Sequence, residues 1–220
     1  MANVIKIKKG LDINLKGKAS DVLLNGGKSD SYAIVPDHYN GIVPKVVAKV
    51  GEKVKAGSVL MIDKNRPEIK FVSPVSGEVT AVNRGEKRKV LSVVVKPEAQ
   101  IEYEDFGKKN VASLKREEVK EAILHAGMWP FIKQRPYDIV ASPADEPRDI
   151  FVSAFYSAPL APNFDFIVKG QEADFQAGLD ALAKLTDGKV YVGIRKGSSV
   201  SVKGVETCLL YTSDAADDKA

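Results

Sequence analysis

Short apolar runs rich in β-branched residues alternate with turns that contain glycine or proline between residues 34 and 97. Short runs of this composition, bounded by turn residues, are typical of β-strands. The runs are PKVVAKV, GEKVKAGSVLMID, IKFVSPVSGEVTAV and KRKVLSVVV. Their spacing and the turn residues between them predict a compact β-domain.

Two stretches of this β-domain, VGEKV at 50–54 and SPVSGEV at 73–79, resemble the barrel-sandwich hybrid fold of biotinyl- and lipoyl-type domains. In lipoyl carriers the modified lysine lies in the exposed hairpin between these elements, where this chain has Lys64. The segment from Lys64 to the second stretch is longer than the carrier pattern, and Pro67 stiffens it. This spacing argues against a carrier lysine, which stays an alternative.

Residues 111–128 carry apolar side chains at a spacing that predicts a helix. Ser113 is the expected N-cap, and Gly127 marks the expected C-terminal end. We expect residues 101–145 to form a helical bridge that follows the β-domain. The apolar positions are Val111, Leu114, Val119, Ile123 and Leu124.

The pattern after the bridge is strand, helix and strand: DIFVSAF at 149–155, then EADFQAGLDALAKLT, then KVYVGI. This order predicts part of a Rossmann-like α/β domain over residues 146–206. The glycine fingerprints of dinucleotide and phosphate-loop sites are missing. Gly193 and Gly197 in GIRKGSS could hold a phosphate beside Arg195 and Lys196, but a polar turn is the favoured interpretation.

The predicted fold class is therefore α+β or α/β. An N-terminal barrel-sandwich hybrid domain occupies residues 1–100, and the helical bridge and the partial Rossmann-like domain follow it. The last residues, TCLLYTSDAADDKA at 207–220, resemble translated adapter sequence. We therefore expect them to be a non-native tail and expect the natural protein to be longer.

Composition narrows the possible chemistry. The chain has 44% hydrophobic residues and a net charge of +4, and no stretch reaches the roughly 18 apolar residues of a membrane helix. The N-terminus lacks the features of a secretion signal, which predicts a cytoplasmic protein. One cysteine, Cys208, and two histidines predict neither a disulfide nor a metal site.

Residues 84–89, RGEKRK, form the densest basic cluster. Such a cluster could attract RNA or anionic lipid headgroups. A solvated β-turn is the favoured interpretation, because aromatic side chains that could stack on bases are missing nearby. We therefore expect no nucleic-acid partner.

The segment 128–137, MWPFIKQRPY, is the best candidate for a ligand site. A planar quinone head needs an aromatic wall and donors to its carbonyl oxygens. A hydrophobic lock between the helix and a neighbouring domain is the alternative. A second aromatic loop at 35–44 adds two possible donors. The quinone-binding candidates are Trp129, Phe131, Lys133, Arg135, Tyr137, His38 and Tyr39.

Longer stretches resemble one family over nearly all of residues 3–197. These stretches are IKIKKGLDINLKGK, VGEKVKAGSVLMIDKNRPEIKFVSPVSGEVTAVNRGEKRKVLSVVV, NVASLKREEVKEAILHAGMWPFIKQRPYD and DIFVSAFYSAPLAPNFDFIVKGQEADFQAGLDALAKLTDGKVYVGIRKG. They resemble the N-terminal part of the A subunit of the sodium-translocating NADH:quinone reductase (Nqr) complex. The related C subunit of the Rnf complex shares such domains but adds cysteine clusters.

The resemblance implies a peripheral subunit on the cytoplasmic face of the bacterial inner membrane. Its complex would pass electrons from NADH to quinone and pump sodium ions, with the flavins, the iron centre and the ion path in partner subunits. This subunit would carry no covalent cofactor. The family's quinone-linked regions match 35–42 and 131–138 here.

Two further hypotheses remain beside a quinone-handling subunit. The chain could be a non-catalytic docking module whose aromatic residues contact membrane subunits. It could instead be a lipoyl-type carrier that uses Lys64. No catalytic side chain can be named, and we expect the isolated chain to be inactive.

Overall fold

The computed structural model describes residue 16 and residues 20–156, 158 and 160–210. The chain divides into two compact units. We call residues 26–145 the barrel unit, and residues 1–25 together with 146–220 the α/β unit. The stretch IKIKKGLDINLKGK lies outside the described residues except for Lys16.

Two antiparallel sheets form the β-domain of the barrel unit. The four-stranded sheet has the order β1 (Tyr32–Ile34), β7 (Val90–Pro97), β6 (Gly77–Arg84) and β3 (Lys53–Val54). The three-stranded sheet has the order β2 (Pro44–Val46), β4 (Val59–Asp63) and β5 (Lys70–Val72). This arrangement confirms the predicted β-domain.

Alternate residues of these strands fill one apolar core. Val79, Val93, Val95 and Leu60 are fully buried and pack together with Val54, Val75 and Val90. Each fully buried valine or leucine side chain contributes about 1.5–3 kcal/mol. The β-branched runs of the sequence therefore supply the strands that enclose this core.

The segment predicted as a helical bridge belongs to the barrel unit. Its helix α1 runs over Arg116–His125 and ends before Gly127 as predicted, but it begins later than predicted. Ser113 is not its N-cap, because Ser113 lies in a separate 3-10 turn and donates to the Asn110 carbonyl. At the actual start of the helix, the Lys115 N–H donates to the Glu118 carboxylate at 2.7 Å.

A short antiparallel hairpin follows α1 in the barrel unit. Its strands are β8 (Lys133–Gln134) and β9 (Ile139–Val140). Between α1 and β8 the chain makes a 3-10 turn over Trp129–Phe131. The aromatic segment of the sequence therefore spans this turn, β8 and the tip of the hairpin.

The described residues of the α/β unit form a parallel three-stranded sheet and two helices. The sheet order is β10 (Ile150–Ala154), β11 (Val190–Arg195) and β12 (Glu206–Leu210). The helices between β10 and β11 are α2 (Phe164–Val168) and α3 (Glu172–Ala183). Leu179 of α3 is buried against Val190, Val192 and Ile194, so the predicted strand, helix and strand unit is present.

The expected tail is in part a strand of this sheet. The sequence predicted that residues 207–210 lie outside the fold, and this prediction is wrong. These residues form most of β12 and pair with β11 from Val192 to Arg195. The run Thr-Cys-Leu-Leu has enough β-propensity to extend the sheet edge. The fold of the α/β unit therefore includes these four residues. Residues 211–220 lie outside the described residues.

Candidate functional site

The structure brings the two aromatic segments together. In the barrel unit, the Tyr39 ring lies edge-on to Phe71 with the ring centroids 4.8 Å apart. The Phe131 ring lies 6.3 Å from the Tyr39 ring in a similar orientation. We call Tyr39, Phe71 and Phe131 the aromatic cluster. Tyr39 comes from the aromatic loop at 35–44, and Phe131 comes from the segment at 128–137. Phe71 lies in β5 and was not among the candidates from the sequence.

The turn that contains Trp129 and Phe131 directs its side chains to different sides. Phe131 is 65% exposed, whereas Trp129 is 5% exposed and its Nε1 donates to the Ala141 carbonyl at 2.9 Å. Three residues complete about one turn of a 3-10 helix, so residues two apart do not share a face. Trp129 therefore lies beneath the surface, and Phe131 is the residue that a ligand can touch.

The two cationic residues among the quinone-binding candidates, Lys133 and Arg135, lie on the hairpin beside this turn. Lys133 belongs to β8, and the tip between β8 and β9 contains Arg135 and Tyr137. Tyr137 is 77% exposed, and Lys133 Nζ lies 3.4 Å from the Asp138 carboxylate. His38 is exposed at the end of the 3-10 turn Pro36–His38.

An ion pair between a buried acid and a partly exposed arginine, which the sequence did not reveal, holds both loops. Arg66 Nε donates to Asp63 Oδ2 at 2.8 Å, and Asp63 is only 1% exposed. Arg66 Nη1 donates to the Val140 carbonyl at 3.0 Å, and Nη2 donates to the Gly41 carbonyl at 2.9 Å. We call Arg66 and Asp63 the Arg66 clamp. One guanidinium thus links the β4–β5 turn, the 35–44 loop and the 128–140 segment.

Further backbone contacts close the clamp. The other oxygen of Asp63, Oδ1, accepts from the N–H groups of Val43 at 3.0 Å and Asn65 at 3.2 Å. The Val140 N–H donates to the Asn40 carbonyl at 2.9 Å. Hydrogen bonds to charged groups are stronger than neutral ones, so the clamp fixes the relative position of the two loops.

The clamp also involves the turn between β4 and β5, which contains Lys64. Lys64 is exposed, but its backbone N–H donates to the Val43 carbonyl at 2.7 Å, and Arg66 follows two residues later. This turn therefore supplies a structural cation, Arg66. An acid and an arginine three residues apart at the end of an apolar strand were the only signal in the sequence.

The chemistry of the aromatic cluster suits a planar neutral ligand. A phenol with the ordinary pKa of 10.0 is protonated at neutral pH, and partial burial raises the pKa of Tyr39 further. A protonated phenol can donate a hydrogen bond to a carbonyl oxygen. The neighbouring ring of Phe131 offers an exposed aromatic surface for stacking.

Neither a metal centre nor a membrane helix is found in the part of the chain that the structure describes. No three or more His, Cys, Asp or Glu side chains lie close enough there to hold a metal ion. Among the same residues, no helix has the length and hydrophobicity needed to cross a bilayer.

The candidate phosphate site in GIRKGSS, residues 193–199, is occupied by a side chain of the protein. The Asp165 carboxylate accepts from Ser198 Oγ at 2.6 Å and from the Ser199 N–H at 2.8 Å. These are the donors that a phosphate would need. The structure therefore supports the polar turn, with Asp165 in the place of an external anion.

Asp165 should make the stability of the α/β unit depend on pH. Partial burial alone would raise the pKa of Asp165, but the hydrogen bonds from Ser198 and Ser199 outweigh it, so the pKa is lowered. The stabilisation is complete above the ordinary aspartate value of 3.8 and is lost as pH falls through the lowered pKa. Asp165→Asn should cost only about 1 kcal/mol at pH 7, since solvent screens the partly exposed group.

Urea unfolding of the Asp165→Asn variant at pH 7 and at pH 3 measures this effect. The variant should differ from the parent at pH 7 and differ less at pH 3. Asp174→Asn, which changes an exposed acid on α3, serves as the matched control. An equal loss at both pH values would show that the charge of Asp165 does not stabilise the turn.

Two family models match the chain. Residues 5–98 match the NqrA N-terminal barrel-sandwich hybrid domain, and residues 114–212 match the NqrA second alpha/beta domain. The first match agrees with the sheets of the barrel unit. The second begins within the barrel unit, just before α1, and extends through β12.

Curated proteins similar to the chain are named as the A subunit of the Na(+)-translocating NADH-quinone reductase. The protein from Vibrio atlanticus is 40% identical over 199 residues, which is 90% of this chain and 44% of that protein. The proteins from Photorhabdus laumondii and Hahella chejuensis are 36% and 39% identical over 201 and 196 residues. These matches cover 90% and 88% of this chain and 45% and 44% of the relatives, so the chain spans less than half of their length.

Proposed function

Because the chain belongs to the NqrA family, we propose that it contributes a quinone-binding surface to a sodium-translocating NADH:quinone reductase complex. The observation that carries the proposal is the meeting of Tyr39 and Phe131 beside Phe71, with both loops held by the Arg66 clamp. Two loops far apart in sequence form one surface with an exposed aromatic ring and a protonated phenol.

In this proposal the barrel unit binds and orients the quinone but does not transfer electrons by itself. Phe131 supplies a ring for stacking, and Tyr39 supplies a donor to one quinone oxygen. Lys133, Arg135 and Tyr137 on the neighbouring hairpin are candidate second donors. Flavins and the iron centre belong to partner subunits, and the chain lies peripherally on the cytoplasmic face of the membrane. The isolated chain should therefore show no NADH oxidation.

Fluorescence of Trp129, the single tryptophan, tests the proposal. A short-chain soluble ubiquinone analogue should quench it in a saturable way, because Trp129 lies in the same 3-10 turn as Phe131. Phe131→Ala should weaken binding about tenfold, since loss of an aromatic contact costs about 1.4 kcal/mol.

The matched control is Phe151→Ala, which removes a similarly exposed phenylalanine from the α/β unit. It should leave the titration unchanged. Free N-acetyltryptophanamide corrects for light absorbed by the quinone. Quenching that never saturates, or that is identical in Phe131→Ala and the parent, would contradict a site at the aromatic cluster.

A docking module is the second candidate function. Met128, Phe131 and Tyr137 are each more than half exposed, and exposed aromatic and methionine side chains are enriched at protein interfaces. This candidate requires binding to a partner subunit without saturable quinone binding. The titration above therefore separates the two functions.

A further inference from the structure

The parallel sheet of the α/β unit has two unlike faces. On one face, Leu179, Phe164 and Phe175 of the two helices pack against the buried residues of β10 and β11. The side chains that alternate with those buried residues point to the opposite face. In register order across the three strands these are Phe151, Tyr191 and Glu206, and then Ser153, Gly193 and Cys208. We call these six residues the open face.

The open face presents an aromatic pair to solvent. Phe151 is 71% exposed, and its ring stacks on Tyr191 with the centroids 5.1 Å apart and the planes 13° apart. Next to this pair the surface of the sheet is low, because Ser153 has a small side chain and Gly193 has none. Charged groups lie at the rim, where Lys189 Nζ lies 2.9 Å from Glu206 Oε1.

A parallel sheet with one face exposed to solvent is unusual. Parallel sheets occur almost only with both faces covered, because their connections place helices on the faces. An exposed apolar patch with a polar rim marks a surface that another element covers. The low surface at Ser153 and Gly193, beside the rings of Phe151 and Tyr191, would let a helix approach the sheet closely.

We propose that the open face is the docking surface for an apolar helix from the part of the family's longer chains that lies beyond the two matched domains. The relatives have more than half of their length outside the matched region. The matched regions are the N-terminal and second domains, so the remainder supplies the nearest candidate element. This docking is independent of quinone binding.

Thiol accessibility tests this assignment. In a Cys208→Ser background, Phe151→Cys and the control Asp174→Cys are labelled with Ellman's reagent. Both should react rapidly in the 220-residue chain. In a fusion of residues 1–210 to the remaining part of the Vibrio atlanticus relative, Phe151→Cys should react at least about tenfold more slowly. The rate for Asp174→Cys, on the exposed side of α3, should stay the same.

Equal rates for Phe151→Cys in the chain and the fusion would overturn the proposal. Slow labelling in the 220-residue chain that speeds up on dilution would also overturn it, because a second copy would then be the occupant. In both cases the quinone titration could still succeed, so failure here is distinct from failure of the proposed function.

A second measurement uses the 220-residue chain alone and does not depend on the fusion. Phe151→Lys should shift the melting temperature by less than about 2 °C, because the open face has no cover to lose. Val152→Lys, whose side chain packs on the helix-covered face, should lower it by more than about 8 °C. Equal losses would show that the open face is already covered and would overturn the proposal.

Discussion

Replacement of Arg66 by alanine should lower the free energy of unfolding of the barrel unit by about 3–5 kcal/mol. The substitution leaves the Asp63 carboxylate buried without its cation, and removal of one partner from a buried pair costs more than the pair itself contributes. The carbonyls of Gly41 and Val140 lose their donors at the same time. The two aromatic loops should therefore separate before the sheets unfold.

Denaturant unfolding followed by Trp129 fluorescence measures this loss, since Trp129 donates to Ala141 next to the clamp. Arg84→Ala is the control, because Arg84 is exposed and its side chain donates to the Arg88 carbonyl at 3.2 Å in a surface turn. It should change stability by less than about 0.5 kcal/mol. A loss below about 1 kcal/mol in Arg66→Ala would contradict a structural role for the clamp.

Gly77→Ala should destabilise the barrel unit by about 3 kcal/mol or more, because overpacking and a forced backbone shift add up. A Cβ at Gly77 would collide with the Lys96 backbone carbonyl on the paired strand β7. The strands β6 and β7 could admit it only by moving apart. That movement would break the ladder at the centre of the four-stranded sheet.

Thermal unfolding followed by far-UV circular dichroism tests this, with Gly85→Ala as the control in the same hairpin. Gly85 has an ordinary negative φ of −97°, and its added Cβ would first meet the flexible Leu91 side chain, at 3.3 Å. The control should lose less than about 1 kcal/mol. Equal stability of the two variants would show that Gly77 is not needed for the close approach.

The strands could be predicted well from the sequence because their signal is local. Alternation in β6 and β7 places Val79, Val93 and Val95 on one face, and neighbours within a strand suffice to show it. The end of α1 was also predicted, from Gly127. Its start was not, because Asn110 caps a separate 3-10 turn and the helix begins only at Arg116.

The candidate site was predicted only in part, because its geometry depends on distant contacts. Arg66 reaches Val140, which is 74 residues away in sequence, and Gly41, which is 25 residues away. No pattern along the chain reports such contacts. The same limit applies to the direction in which side chains point. The sequence grouped Trp129 with Phe131, but only the fold shows that Trp129 is buried and Phe131 is exposed.

The most direct test of a quinone site at the aromatic cluster is photolabelling of the 220-residue chain with an azido-quinone, followed by mapping of the labelled peptides. Label should appear within residues 36–43 or 128–137 and should be lost when excess unlabelled quinone competes. Label confined to the α/β unit, or label that competition does not remove, would contradict a quinone site at the aromatic cluster.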